Sequence, residues 1–214
     1  MNQKGFANVI LVVIIVILAG ALGYFTLVKK SPQVTQQTPK LINWEGLIPE
    51  IKTALQQAFP ERAFRDENVI ISAKGDITGD GIPEVLVGIG CGATTCEFVL
   101  MRIENNKPTV ASFKQRDGKA SYLVFTNGVG GAGRYESTVK LMEDKNAIYA
   151  AGYSAYNQSS DSCGAQVYQW NRQANIFEFN DSLSNEISKD YCAKICSEKM
   201  QDPNLKLNFR RICR

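Results

Sequence analysis

The chain contains no histidine among its 214 residues, and this absence excludes a large part of enzyme chemistry. Without an imidazole, the chain has no Ser-His-Asp or Cys-His nucleophile, no histidine general base and no histidine-ligated zinc or haem. Carboxylate, thiol, hydroxyl and backbone chemistry remain. Because these groups form no recognisable catalytic constellation in the sequence, we predict that the protein is not an enzyme.

The chain also has little net charge outside its first residues. It carries 24 Lys plus Arg and 21 Asp plus Glu, and its first thirty residues hold three lysines and no acid. The remaining residues are therefore neutral overall. A neutral domain without a long basic run has little electrostatic attraction for a phosphate backbone, so we predict no nucleic-acid partner.

One long hydrophobic run is present, from Phe6 to Val28, and it carries no charge over 23 residues. As a helix it spans roughly 34 Å, enough for the roughly 30 Å hydrocarbon core of a bilayer. The sequence therefore predicts a transmembrane anchor within residues 1–30, contacting the membrane through residues 6–28. A signal peptide cleaved near Ala19 is the alternative, but the hydrophobic run continues beyond that point.

Cysteine usage indicates the compartment of the rest of the chain. Six cysteines, an even number, are typical of three disulfides formed in an oxidising compartment. The sequence therefore predicts a single-pass protein of the cell membrane whose C-terminal domain lies outside the cytoplasm. The disulfide candidates are Cys91, Cys96, Cys163, Cys192, Cys196 and Cys213.

The spacing of the cysteines restricts the pairing. Cys91 and Cys96 flank a short loop and are expected to bond to each other. Cys192 and Cys196 lie four residues apart on a predicted helix, so each is expected to reach Cys163 or Cys213, in either order. A zinc site made from four of these thiolates is the alternative.

The residues after the anchor divide into a polar linker, 31–40, and a domain, 41–214. Helical spacing of apolar residues from Trp44 to Phe59 predicts a first helix that Pro60 ends, and a second helix is predicted from Ser182 to Met200. Between them the pattern is that of strands. The predicted strands are Asn68 to Ala73, Glu84 to Ile89, Glu97 to Ile103, Thr109 to Phe113, Ser121 to Thr126, Glu136 to Met142, Ala147 to Tyr153, Gln166 to Trp170 and Ile176 to Phe179.

Three joins between these strands are short polar turns, in MRIENNKPTVASF, KLMEDKNAIYAAG and VYQWNRQANIFEF. Each predicts a hairpin. The predicted fold is therefore a β-rich α+β domain, an antiparallel meander sheet flanked by an N-terminal and a C-terminal helix and stapled by disulfides.

An acidic loop, Asp76 to Glu84, lies between the first two predicted strands in the stretch GDITGDGIPEVLVG. Oxygen-bearing side chains fall at its positions 1, 3, 5 and 9, with a glycine at position 6. This stretch resembles the calcium loops of FG-GAP and VCBS repeats. The resemblance implies a Ca²⁺ site with carboxylate ligands from Asp76, Asp80 and Glu84, the Thr78 hydroxyl and the Ile82 carbonyl. The alternative is a metal-free turn in which the carboxylates cap backbone amides.

A second resemblance concerns the N-terminus. The start MNQKGF resembles a type IV prepilin leader, with Gly5 and Phe6 at the processing junction. Such pilins usually carry glutamate at the fifth mature position, where this chain has Ile10. The resemblance implies, as an alternative, a pilin-like subunit.

A glycine-rich segment, Asn127 to Arg134, follows the predicted strand YLVFT. Its G-x-G-x-x-G spacing is not followed by a helix, so it does not predict a dinucleotide site. It is instead a hairpin loop and a candidate binding loop, through Gly128, Gly130, Gly131, Gly133 and Arg134. Late aromatic residues are candidates for a sugar- or peptide-binding face or for cross-strand packing: Tyr149, Tyr153, Tyr156, Tyr168 and Trp170.

These features predict a single-span cell-envelope protein with a calcium-stabilised extracytoplasmic domain for binding or adhesion. One alternative is a pilin-like subunit of a surface assembly. Another is a carboxylate-dependent hydrolase of cell-wall or surface glycans, which would use two acidic residues. The sequence leaves open whether the ligand is a protein or a glycan.

Overall fold

The structure is a computed structural model that describes residues 42–64, 69–156 and 161–213. The predicted anchor at residues 6–28, the prepilin-like start and the linker at residues 31–40 lie outside these ranges. None of the helices within the described ranges is both long and apolar enough to cross a membrane.

The first predicted helix is confirmed. A 3-10 turn over Trp44–Leu47 leads into helix α1, Ile48–Ala58. The side chain of Asn43 caps the turn by accepting a hydrogen bond from the amide of Gly46, at 3.2 Å. Ile51 and Leu55 are fully buried on one face of the helix, which packs against the sheet.

Eleven strands, two α-helices and two 3-10 turns, Gly131–Gly133 and Glu143–Lys145, follow in the described residues. The strands are β1 Ile70–Gly75, β2 Glu84–Cys91, β3 Thr95–Glu104, β4 Lys107–Val110, β5 Ser112–Lys114, β6 Ala120–Tyr122, β7 Phe125–Gly130, β8 Tyr135–Met142, β9 Ala147–Ser154, β10 Ser162–Asn171 and β11 Ile176–Phe179. Helix α2, Asp181–Lys199, confirms the predicted C-terminal helix, and α3, Lys206–Phe209, is a single turn.

The three predicted hairpins, β3–β4, β8–β9 and β10–β11, are confirmed. Their turns contain asparagines in the left-handed region: Asn105 (φ 51°), Asn106 (φ 61°), Asn146 (φ 48°) and Asn175 (φ 54°). Asparagine tolerates this conformation better than most residues. The polar turns that mark the hairpins in the sequence are therefore the residues that the turn geometry requires.

The sheet is mixed, and here it differs from the predicted antiparallel meander. Strands β5 and β11 pair in parallel, with Phe113 opposite Phe177. The predicted strand Thr109 to Phe113 is divided at Ala111, whose amide donates to the carbonyl of Leu100 at 2.9 Å. On one side of this break β4 pairs with β3, and on the other side β5 pairs with β11.

The chain runs through Ala111 from β4 into β5 and so connects two distant parts of the sheet. One edge of β3 pairs with β2, so its other edge carries both β7 and β4. Pairing then runs β7-β8-β9-β10-β11-β5, and β5 continues through Ala111 into β4, which returns to β3. The strands therefore form a closed ring, with β1 and β2 attached beside β3.

The ring surrounds the central core. Phe113 lies at the middle of this core, with aromatic ring centroids 5.4 Å from Phe125, 5.1 Å from Tyr168 and 5.4 Å from Phe177. A second core lies between the sheet and α1, and a third lies between β9, α2 and the C-terminal residues, where Tyr153 packs on Phe209.

All six cysteines form disulfides, as the sequence predicts. Cys91 bonds to Cys96 as a directly opposed pair on β2 and β3. Of the two orders left open for the other four, the structure has Cys163 with Cys192 and Cys196 with Cys213. These two bonds tie α2 to β10 and to the C-terminal residues.

Candidate functional site

The acidic loop satisfies its own backbone. All six amides from Ile77 to Ile82 donate to a carboxylate of the loop. Asp76 accepts from the amides of Gly79 at 2.7 Å, Asp80 at 3.2 Å and Gly81 at 2.9 Å. The Asp80 carboxylate accepts from Ile82 at 2.8 Å.

Glu84 is the buried member of this network, with 1% of its surface exposed. Its carboxylate accepts from the amides of Ile77 at 2.9 Å and Thr78 at 3.1 Å, and from the Thr78 hydroxyl at 3.1 Å. Burial raises the pKa of Glu84 to about 7, although the hydrogen bond from Thr78 acts in the opposite direction.

The loop closes one end of the strand ring. Ile77 is fully buried and belongs to the central core. Arg172, in the β10–β11 turn, donates to the carbonyls of Thr78 at 3.3 Å and Gly79 at 2.8 Å. The indole of Trp44 donates to the carbonyl of Pro83 at 3.1 Å. The loop is thus held by the sheet, by a neighbouring turn and by the segment before α1.

The donor chemistry of the loop fits a calcium ion, since it offers carboxylate, hydroxyl and carbonyl oxygens. The hydrogen bonds, however, are those of the metal-free turn. Within the described ranges, no group of three or more acidic or cysteine side chains is gathered as a metal site. A carboxylate has about four acceptor positions, so Asp76 and Asp80 keep some capacity after capping the amides.

The opposite end of the ring is open, and it contains a groove. Here β8, β9 and β10 run side by side, and every second residue faces the interior of the ring. From the core outward, the facing residues form four successive rows: Leu141, Ile148 and Tyr168; Val139, Ala150 and Gln166; Ser137, Gly152 and Gly164; and Tyr135, Ser154 and Ser162. The row of Ser137, Gly152 and Gly164 therefore has much smaller side chains than the rows nearer the core.

This decrease in side-chain size creates a groove of about 560 Å³. The floor is formed by β8, β9 and β10, and the segment Leu123 to Thr126 forms the other wall. Ser162 and Gln166 are exposed, whereas Tyr168, one row nearer the core, is buried. A volume of this size lies within the range of small-ligand pockets.

The candidate binding loop lies beside the open end of the groove, since its Gly130 pairs with Tyr135 at the start of β8. At two positions of this loop, a side chain larger than that of glycine would clash with neighbouring atoms. A Cβ on Gly128 would lie 2.2 Å from the carbonyl oxygen of Thr94, and a Cβ on Gly131 (φ 58°) would lie 1.8 Å from the Tyr156 hydroxyl. At these two glycines the loop backbone therefore packs closely against its neighbours.

The late aromatic residues do not form one face. Tyr153 is buried beneath α2, with its ring 5.1 Å from that of Phe209, and Tyr168 lies in the central core. Trp170 stacks under the guanidinium of Arg102, at 4.3 Å. Tyr156 is 45% exposed and lies near the candidate binding loop.

The groove was not predicted from the sequence. Its signal is the set of small residues at alternate positions of three strands, Ser137, Gly152, Ser154, Ser162 and Gly164. These residues are up to 27 positions apart in the chain, and their relation depends on a strand register that the pattern alone does not supply.

Comparison with protein-family models, with curated proteins and with solved structures found no match to this chain.

Proposed function

We propose that the chain is a single-span cell-envelope protein that presents a calcium-stabilised binding or adhesion domain outside the cytoplasm. The observation that carries this proposal is the pairing of all six cysteines in three disulfides. Such bonds persist in oxidising compartments and are rare in the cytosol. Labelling of the exposed Lys119 in intact cells, which shows on which side of the membrane the domain lies, tests this proposal.

The binding surface in this proposal is the groove at the open end of the ring. The acidic loop has a structural role at the closed end, so ligand binding and stabilisation are separated. A carboxylate-dependent hydrolase is not favoured, because Glu136 is the one acidic residue among those that line the groove in the described structure. Glycoside hydrolysis of the common type requires two.

Calcium, in this proposal, is held by Asp76, Thr78, Asp80, Ile82 and Glu84. The ion supplies positive charge beside carboxylates that already cap the backbone. We expect weak binding, as in extracellular modules, because Thr78 replaces a carboxylate or carboxamide ligand. Calcium therefore adds to a stability that the loop has without it.

Adding calcium is expected to raise the melting temperature of the full-length chain. For a dissociation constant of about 0.1 to 1 mM, roughly 10 mM calcium adds about 1.4 to 2.7 kcal/mol. This corresponds to a rise of roughly 3 to 10 °C. Scanning calorimetry in calcium and in chelator measures the difference, which Asp80→Ala should remove.

The matched control is Asp117→Ala. Asp117 also caps a turn, accepting from the amide of Lys119 at 3.0 Å, but it lies outside the acidic loop. This variant should keep the full response to calcium. A wild-type chain whose melting temperature is the same in calcium and in chelator would end the calcium proposal.

A further inference from the structure

We propose that the groove at the open end of the ring binds a neutral oligosaccharide. This inference rests on the proposed function of a binding domain and adds the class of its ligand. Charge, free hydrogen-bonding groups and the state of the neighbouring strand edge support it.

The groove carries little charge. Among the described residues that line it, Glu136 alone is charged. Its carboxylate accepts from the hydroxyl of Tyr153 at 3.3 Å, and both side chains lie on the face of the sheet that α2 covers. The groove wall therefore presents no cation to a phosphate or sulfate group, and no free carboxylate to a basic peptide. An uncharged ligand fits this lining.

The groove also offers polar groups that are available to a ligand. Tyr135 donates to the hydroxyl of Ser137 at 3.0 Å. Within the described part of the chain, the hydroxyls of Ser154 and Ser162 and the amide nitrogen of Gln166 have no hydrogen-bond partner. A hydroxyl is both a donor and an acceptor. Sugar hydroxyls have the same double character, so a ring of a glycan satisfies such groups without requiring a charge.

The shape of the groove floor suits a flat ring. Gly152 and Gly164 are cross-strand partners in the floor. At Gly164, where a Cβ would meet only the Ser188 oxygen at 3.6 Å, the backbone is open to close approach by a flat ring. Tyr156, which is 45% exposed, lies beside the candidate binding loop at the same end of the ring and adds apolar surface there. Pockets for small ligands combine such apolar surface with a few placed polar groups.

The strand edge beside the groove argues against an extended peptide. A peptide that adds to a sheet needs an edge with unpaired amides and carbonyls. Along β10 this edge is already occupied by helix α2, because the amide of Ala165 donates to the Ser188 hydroxyl at 2.7 Å and that of Val167 to the Ser184 hydroxyl at 2.9 Å. The two serines thus protect the edge that a peptide would use.

Calorimetry on the full-length chain, in a detergent without a sugar headgroup, tests the proposal. The probes are chitohexaose, cellohexaose and maltohexaose, with a sulfated dextran oligosaccharide and an unstructured neutral peptide for comparison. We expect at least one neutral hexasaccharide to bind, and Gly164→Leu to weaken its binding at least tenfold by filling the groove. A Cβ on Gly164 meets only the Ser188 oxygen, at 3.6 Å, which is ordinary contact.

Gly90→Leu is the matched control, because Gly90 lies on β2, away from the groove. A Cβ on Gly90 meets only the Glu97 carboxylate, at 3.9 Å. This variant should leave binding unchanged. A second test that does not depend on the larger side chain is Ser154→Ala or Ser162→Ala. Each removes one hydroxyl and should weaken binding about threefold to tenfold.

The outcomes separate the inference from the proposed function. If the sulfated oligosaccharide or the peptide binds in a manner that Gly164→Leu abolishes, the groove is a binding site but its ligand is not a neutral glycan. If hexasaccharide binding survives Gly164→Leu, the site lies elsewhere and the inference is wrong. If no probe binds, both the inference and the assignment of the groove as the binding surface are overturned.

Discussion

Replacing Cys163 and Cys192 together with alanine is expected to lower the free energy of unfolding by about 3.5 kcal/mol. The bond joins residues 29 positions apart and holds α2 against β10, so its loss releases a long loop in the unfolded chain. The helix also carries the serines that cap the edge of β10. Urea denaturation of the full-length chain in detergent measures the loss.

The matched control is the pair Cys91 and Cys96, which are only 5 positions apart. Their replacement should cost about 2 kcal/mol, because a short loop loses less entropy when it is closed. Backbone pairing also holds this hairpin, through the amide of Gly92 and the carbonyl of Thr95 at 2.7 Å. A larger loss for Cys91 and Cys96 than for Cys163 and Cys192 would contradict this view of the disulfides.

Glu84→Ala is expected to lower the free energy of unfolding by about 2 to 4 kcal/mol, in the presence of a chelator. The change leaves the amides of Ile77 and Thr78 without their carboxylate acceptor at a site that is closed to water. Part of this cost is offset because the variant no longer has to bury a carboxylate. Thermal or urea unfolding of the full-length chain measures the effect.

Glu97→Ala serves as the control for Glu84→Ala. Glu97 pairs with Arg62 at 2.6 Å, but both side chains are substantially exposed, at 45% and 37%. Such a pair contributes roughly 1 kcal/mol or less. Without calcium, Glu84→Ala should lower the free energy of unfolding more than Glu97→Ala does. If it does not, the Glu84 carboxylate does not stabilise the loop backbone, and the proposed structural role of the loop is wrong.

Local features of the fold were accessible from the sequence. The asparagine turns at Asn105, Asn146 and Asn175 mark hairpins because their backbone conformation favours that residue. The spacing of Cys192 and Cys196 on a helix favours a distant partner for each of them over a bond between them, and the structure has such partners. These predictions hold because each depends on a few neighbouring residues.

Features that depend on distant strands were not accessible. The parallel pairing of Phe113 with Phe177 joins segments separated by 64 positions, and nothing local in the strand pattern at Ala111 marks where one pairing ends and the next begins. The groove likewise arises from register among three strands. Strand register is set by the whole core, so a sequence pattern identifies the strands but not their partners.

The acidic loop shows a different limit. The spacing of Asp76, Asp80 and Glu84 suits a cation, but it also places carboxylates next to six successive amides of the same loop. Both interpretations require the same residue types at the same positions. The pattern therefore locates the site without deciding between capping alone and capping with a bound ion.

The central claim is that the disulfide-stapled domain lies outside the cytoplasm, and labelling of Lys119 in intact cells tests it most directly. The Lys119 side chain is 84% exposed, so an amine-reactive reagent reaches it wherever the reagent reaches the domain. A sulfonated succinimidyl ester that cannot cross the cytoplasmic membrane, followed by peptide mapping, gives the extent of modification before and after lysis. We expect equal labelling of Lys119 in both samples, while lysines of a cytoplasmic protein react only after lysis. Labelling of Lys119 only after lysis would contradict the account.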